Sequence, residues 1–343
     1  MTDMTSLKTK RRNTTLPLIR LSLLIPFTRE LDQRDIRIDP ILDGFDLSLV
    51  TLESPDVFAP AQTVYHLLEA MADAADDPYL AVYIGETLDL FSWPVFTDAA
   101  RQALTFGDFF YRFSAEAGNQ ASSVRMCLDT DGRHATFRAQ RVFEPDMVPA
   151  QADAFYVGLF RSIFQRCAGS LWDPGEVRIS TCDPAAIPAN YHGLAITRGD
   201  LRGCTIRFPQ AWLSLPFLYE DFKQRTQLDI RYQSPPRSLL ESLRHALQPH
   251  IHLPDLDAQQ AAELCGQDKR ALARKLKARG TTLMQEITRL REETAIRALL
   301  DTDSSIADIA TSVGYSDPSV FSRAFRKWTG MSPREYRKRH TVQ

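Results

Sequence analysis

The sequence predicts an α+β front domain followed by an all-α rear domain, and three observations carry that expectation. First, 343 residues exceed what one small core organises and suit two domains of ordinary size. Second, 44% hydrophobic and 24% charged residues lie near the soluble globular average. Third, the charge is unevenly placed. From residue 257 onward 16 Lys and Arg stand against 11 Asp and Glu, a net of +5, so an overall −2 leaves −7 for the residues ahead. An acidic front and a basic rear are expected where only the rear meets a polyanion.

The five cysteines (Cys127, Cys167, Cys182, Cys204, Cys265) are odd in number, 15 to 61 residues apart, and form no CxxC pair. They predict no disulfide framework and a cytoplasmic, reducing location. Residues 1–14, with Lys8, Lys10, Arg11 and Arg12, are expected to be a disordered basic tail. The apolar stretch 16–27 that follows is interrupted by Arg20 and flanked by Pro17 and Pro26. It reads as a first strand or helix rather than a leader. No run reaches the roughly 18 apolar residues of a membrane span.

Residues 15–235 are expected to form the α+β domain. Val64, Leu67, Leu68 and Met71 follow helical spacing, as do Leu80, Ile84 and Leu88. Residues 97–117 read as one further helix with Ala100, Leu104, Phe109, Phe110 and Phe113 as its apolar side. Residues 123–128 and 135–142, parted by Asp129–Gly132, predict a hairpin. A helix is expected over 149–167, and strands over 176–180 and 200–208. Prolines at 235, 236, 249 and 254 around a short helix, 238–247, mark 236–256 as a linker, leaving 257–343 as the helical rear domain.

The most informative stretch is 304–337. Ile306, Ile309, Ala310 and Val313 make a short one-sided helix beginning at Ser304 or Ser305. Gly314 permits a tight turn, Ser316 is expected to cap the next helix, and Asp317 and Pro318 suit its first turn. In that helix Val320, Phe321, Ala324, Phe325 and Trp328 are expected inside, with Ser319, Ser322, Arg323 and Arg326 outside, and Gly330 stops it. A helix, a tight turn and a second helix with a Ser/Arg outer face make the helix-turn-helix arrangement, whose second helix enters the DNA major groove. A solvated basic face on an ordinary bundle would fit the same pattern.

The order of Ile306, Ile309, Ala310, Gly314, Tyr315, Phe321, Arg323, Phe325, Gly330, Pro333 and Tyr336 resembles the signature of the AraC/XylS family of transcription regulators, with Tyr315 in place of a commoner Phe. The resemblance implies a second such unit upstream. Residues 258–264 supply a short helix, Cys265–Gly266 a turn, and Asp268 a cap for a helix running to Ala278. Its outer face carries Lys269, Arg270, Arg274, Lys275 and Lys277. By resemblance the base-reading positions are Arg270, Ala271, Ala273 and Arg274, of which the alanines can touch only a thymine methyl. A long helix over 283–300 would hold the two units one turn of DNA apart, ~34 Å. Ser316, Asp317, Pro318, Ser319, Ser322 and Arg323 would face bases or backbone at the second unit, with Arg326 and Lys327 on phosphates.

Residues 172–216, with WDPGEVRIS, Tyr191, CTIRFP and WLSLP, resemble the N-terminal regulatory domain of one AraC/XylS branch, over roughly 36–220. That branch resembles ornithine-regulator-like proteins, with Arg202–Gly203 here where Phe-Gly is usual. The resemblance implies a small-molecule effector, dimerisation, promoter DNA and RNA polymerase as partners, and an activator's role. If the effector is apolar, Phe109, Phe110, Phe113, Phe155, Tyr156 and Phe160 are the expected pocket residues, although aromatics at helical spacing equally form core. No cofactor or metal is expected. His245, His250 and His252 lack an accompanying ligand pattern, and no nucleophile triad, phosphate loop or HExxH suggests an enzyme. The alternatives are a ligand-independent or redox- or metal-responsive repressor using Cys127 or Cys204, and an alkyl-transfer repair enzyme, whose ordered cysteine cluster this sequence lacks.

Overall fold

The computed structural model describes residues 15–54, 56–89, 94–217, 236 and 238–340. The expected tail at 1–14 lies outside the described residues, as does the stretch 218–235. Seven helices, α1 Ile25–Gln33, α2 Asp39–Asp43, α3 Leu49–Glu53, α4 Ala61–Ala74, α5 Leu80–Thr87, α6 Pro94–Gln102 and α7 Phe106–Ala117, precede a hairpin of β3 Val124–Thr130 and β4 His134–Arg141. Helix α8, Ala150–Ala168, then leads to β5 Arg178–Thr181, β6 Ala195–Arg198 and β7 Gly203–Pro209. The sheet order is β3-β4-β7-β5-β6, antiparallel except for the parallel pair β5–β6. An α+β domain is therefore what the sequence makes.

Its core is aromatic. Phe106, Phe109, Phe110 and Phe113 from α7 pack with Phe160 and Phe164 from α8 and with Phe137 and Phe208 on the sheet, all at most 1% exposed. The single helix expected over 97–117 is broken at 103–105, because the Thr105 hydroxyl accepts the Asp108 N–H and starts a new helix there. Helices α5 and α8 cross backbone to backbone. A side chain at Gly158 would place its Cβ 2.0 Å from the Val82 carbonyl oxygen, so only glycine allows this approach. The strand expected at 200–208 begins at Gly203, and β6 was not foreseen, since four residues pairing a parallel neighbour leave too short a pattern.

A two-stranded ribbon, β1 Leu18–Arg20 with β2 Phe58–Pro60, lies between this core and the rear helices. Beyond it come α9 Leu239–Leu247, α10 Ala258–Leu264, α11 Lys269–Lys277, α12 Leu283–Asp301, α13 Ile306–Ser312, α14 Pro318–Thr329 and α15 Pro333–His340. Helix α9 starts with a capping box, Ser238 and Glu241 each bonding the other's backbone N–H. Its buried Leu239, Leu243, Ala246 and Leu247 share one apolar cluster with Leu16, Leu18 and Phe58 from the front of the chain and with Ala261, Leu272 and Ile287 from the rear.

His250 follows α9, is 2% exposed, and its Nδ1 has no hydrogen-bond partner. Burial pushes its pKa down to about 4, against a raising influence of Asp46. An unfolded imidazole titrates near 6.5, so between about 6.5 and 4 the unfolded chain holds a proton that the folded chain refuses. Stability present above pH 6.5 is therefore lost as the pH falls toward 4. Urea unfolding at pH 7.5 and pH 5 is expected to show an acid loss about 2 kcal/mol smaller in His250→Phe than in the natural chain. Equal losses would mean that the native imidazole is already protonated.

Candidate nucleic-acid interface

The rear helices form two helix-turn-helix units on one rod. Helix α12, 19 residues, is about 28 Å long. It packs against α10 and α11 toward one end and α13 and α15 toward the other. Leu283, Ile287 and Leu290 serve the first unit's core, and Ala295 and Leu299 the second's. Glu286, 1% exposed, accepts from the Thr281 hydroxyl at 2.6 Å and from Arg289 at 2.7 Å, with Arg244 of α9 3.5 Å away. That carboxylate ties the rod's start to the loop that ends the first unit.

In the first unit the Asp268 carboxylate accepts the Ala271 N–H, and Leu272 and Leu276 are buried. Lys269, Arg270, Ala273, Arg274 and Lys277 are exposed and Ala271 is half-buried. Lys275 is half-buried and donates to the Gln267 Oε1 at 2.9 Å. Burial first, then Arg279 and Arg274, lower its pKa, and one of its three N–H donors holds the turn.

In the second unit α13 is capped by Ser305, which accepts the Asp308 N–H. The cap of α14 is Asp317 rather than Ser316. Its carboxylate accepts the Ser319 N–H at 2.7 Å, and Pro318 takes the first helical position, where its missing donor costs nothing. That backbone bond holds the Asp317 carboxyl below its ordinary pKa. Ser316, Asp317, Pro318, Ser319, Arg323, Arg326 and Lys327 are exposed. Ser322 is half-buried and donates back to the Pro318 carbonyl at 2.8 Å. Val320, expected inside, is 40% exposed and joins the outer face. Phe321 and Phe325 are fully buried against Tyr315, Trp328 and Tyr336. Arg337 donates to the Leu299 and Ser304 carbonyls, so it caps the rod instead of projecting into solvent.

Arg291 was not singled out in the sequence, yet it fixes the second turn. It donates to the Ile251 carbonyl at 3.3 Å and the Leu253 carbonyl at 2.7 Å, and its guanidinium lies 5.6 Å from the centre of the Tyr315 ring. Gly314, at φ +79, passes directly over this junction. A Cβ there would meet Arg291 Nη2 at 2.5 Å and the Ile251 oxygen at 2.6 Å.

A cavity of about 80 Å³ lies in the front domain. Phe155 and Tyr156 line it with Ile19, Phe27, Tyr65 and Ser123, whereas Phe109, Phe110, Phe113 and Phe160 are packed solidly in the core and do not reach it. Arg141 and Asp153 form a buried ion pair on its wall. Sequence spacing gave no sign of that pair, because one partner sits in a strand and the other in a helix that also supply core residues. Buried Cys204, Cys182 and Cys265 are held above the ordinary thiol range by burial. Among the described residues no group of three His, Cys, Asp or Glu is placed to hold a metal, and no helix is long and apolar enough to cross a membrane.

Residues 36–224, more than half of the chain, match a family model described as the arabinose-binding N-terminal domain of AraC transcription regulators, and residues 261–339 match a helix-turn-helix domain. The ornithine utilization regulator of Pseudomonas aeruginosa is 27% identical over 283 residues, covering 76% of this chain and 79% of its own. The transcriptional activator NphR of a Rhodococcus species is 36% identical over 101 residues, 29% of this chain and 30% of its own, so that similarity spans under a third of either protein. The crystal structure of the transcriptional regulator CdpR from Pseudomonas aeruginosa aligns with 92% of this chain and 98% of its own, at 17% identity and a TM-score of 0.40.

Gly314→Ala is expected to cost at least about 2 kcal/mol, from the left-handed backbone and the collision with Arg291. Calorimetry should register a fall of roughly 4–8 °C in melting temperature. An unchanged transition would mean that the turn relaxes freely and that Arg291 does not fix it.

Proposed function

The chain belongs to the AraC family of transcription regulators, and from that membership we propose how its parts divide the work. Residues 257–343 bind promoter DNA through α11 and α14, and residues 15–235 sense a small molecule and pair two protomers, with 236–256 joining the two. The observation that carries this reading is the arrangement of the rear helices. Two exposed basic helices, each with its apolar side buried, stand on one rigid rod about one duplex turn in scale.

Within the second unit Arg323 is the base reader, since it is exposed in the middle of α14 and long enough for a bidentate guanine contact. Arg326 and Lys327 grip phosphates, as do Lys269, Arg270 and Arg274 in the first unit. Ala271 and Ala273 give the first unit little to read with, and Lys275 is committed to Gln267. Specificity is therefore concentrated in α14. The exposed Asp317 carboxylate at the start of α14 would repel phosphate from the helix mouth and so favour one docking angle.

The effector acts by favouring one placement of the rear helices relative to the front domain, which requires different affinity for the two placements. The β1–β2 ribbon supports that role, because it touches both the cavity and the rear core. The protein acts as an activator in the cytoplasm, as a homodimer that recruits RNA polymerase, and carries no enzymatic activity of its own.

Selection of bound fragments from a random DNA pool, followed by affinity titrations, tests the assignments. Arg323→Ala is expected to cost ~1–3 kcal/mol and to relax one base position. Arg326→Ala should weaken all sequences alike and reduce the slope of log K against log salt by about one. Unchanged preference and affinity in Arg323→Ala would remove its reading role, and a selected motif governed by the first unit would reverse the division between the helices.

A further inference from the structure

The front-domain cavity lies between the ribbon, α1, α4, α8 and the start of the β3–β4 hairpin. Four aromatic side chains, Phe27, Tyr65, Phe155 and Tyr156, face it, and aliphatic groups such as Val64 and Leu68 complete most of its wall. Phe27 and Phe155 lie 5.5 Å apart, centre to centre. Such a lining rewards apolar surface and ring stacking.

The polar side chains on the wall are few, Ser123 and Tyr156 beside Arg141, Asp153 and Tyr65, and the last three are tied together. The Arg141 guanidinium donates to the Asp153 carboxylate, to the Tyr65 hydroxyl at 3.3 Å and to the Leu201 carbonyl at 3.2 Å. The other Asp153 oxygen accepts the Cys182 N–H at 2.8 Å. The two charges cancel and are bonded in place, at 3% and 1% side-chain exposure. Ser123 is different. It is 0% exposed, it lines the cavity, and its hydroxyl has no hydrogen-bond partner. A buried hydroxyl without a partner is costly, and a ligand oxygen would relieve it.

We propose that this cavity binds a small uncharged molecule, apolar over most of its surface and carrying one hydroxyl or carbonyl group that bonds Ser123. A carboxylate would have to displace Asp153 from Arg141, and an ammonium would have to displace Arg141 from Asp153. Neither ion finds a free counter-charge among the lining residues, so neither recovers its lost hydration. At about 80 Å³ the space is roughly half the 150 Å³ apolar cavity that takes benzene, so it suits about three to four non-hydrogen atoms. The proposal rests on reading the front domain as the effector-sensing part.

2-Propanol, 2-chloropropane, acetate and isopropylammonium each have four non-hydrogen atoms and differ in the group that would meet Ser123. NMR titration of the full chain is expected to show 2-propanol binding about tenfold more tightly than 2-chloropropane, and both ions at least tenfold more weakly than 2-propanol. Ser123→Ala should bring 2-propanol to the level of 2-chloropropane and leave 2-chloropropane unchanged, which also demonstrates that the variant is folded. Ala121→Leu, which fills the space from a half-buried position, should abolish both. Tighter binding of either ion, no binding of any probe, or a 2-propanol preference that survives Ser123→Ala overturns the proposal. DNA affinity measured with and without each probe separates the two readings. 2-Propanol bound with no change in DNA affinity keeps the ligand class and removes the effector role. A charged probe that alters DNA affinity while 2-propanol does not keeps the effector role and removes the class.

Discussion

Among the described residues, two three-residue strands stand between the molecule's two apolar clusters, and the period of two in a β-strand decides which side chain enters which. In the antiparallel pair Leu18↔Pro60, Ile19↔Ala59 and Arg20↔Phe58, alternate residues point to opposite faces. Leu18 and Phe58 enter the apolar cluster of the rear helices, whereas Ile19 and Ala59 belong to the front core. Arg20 locks this register. It is fully buried, its guanidinium lies 4.4 Å from the centre of the Phe58 ring, and its Nε donates to the Gln120 Oε1 at 2.6 Å. A slip by one residue would push Leu18 into the front core and Ile19 out of it, and would strand a buried charge.

The rear domain repeats the same economy of means at its second turn. Arg291 satisfies two carbonyls of the 251–253 segment and lies against Tyr315, so the rod, the chain entering from α9 and the turn before α14 are fixed by one side chain. These bonds and the Phe321–Phe325–Trp328 cluster hold α14 from within. Arg323, Arg326 and Lys327 stay exposed on its outer face, whereas Ser319 is bonded to Asp317. The first unit is less generous, for Lys275 is drawn into holding its own turn.

The rear domain was legible because its helices are amphipathic and punctuated. Ser305, Asp268, Gly314 and Gly330 mark ends that a reader of sequence can place to within a residue. The cap of α14 was misplaced from Asp317 to Ser316 because both residue types accept a backbone N–H, and only the geometry decides between neighbours. Val320 was misjudged for a related reason, since a short helix leaves its boundary rows ambiguous. The front domain gave up its class but not its cavity. The aromatic run on α7 has helical spacing whether it lines a space or fills one, and here it fills one. What makes the cavity chemical is Ser123, Arg141 and Asp153, whose partners are set by tertiary packing and leave no periodic trace. The ribbon was equally hidden, because three residues cannot establish alternation.

The energetic scale makes the ribbon a plausible transmitter without any large motion. A tenfold change in DNA affinity corresponds to 1.4 kcal/mol, and burying one methylene contributes about 0.8 kcal/mol. Partial withdrawal of Leu18 or Phe58 from the rear cluster, by an amount equal to about two methylenes, would therefore suffice. Ile19, on the opposite face of the same strand, lines the cavity, and so do Leu23 and Leu24 just after it. A ligand that packed better when this segment sat in one position would bias that position, and the rear helices would feel the bias through Leu18, one residue away. The effect cannot exceed the ligand's differential affinity for the two positions. A small ligand can meet that requirement because the segment it must bias is only a few residues long and is already held between two cores.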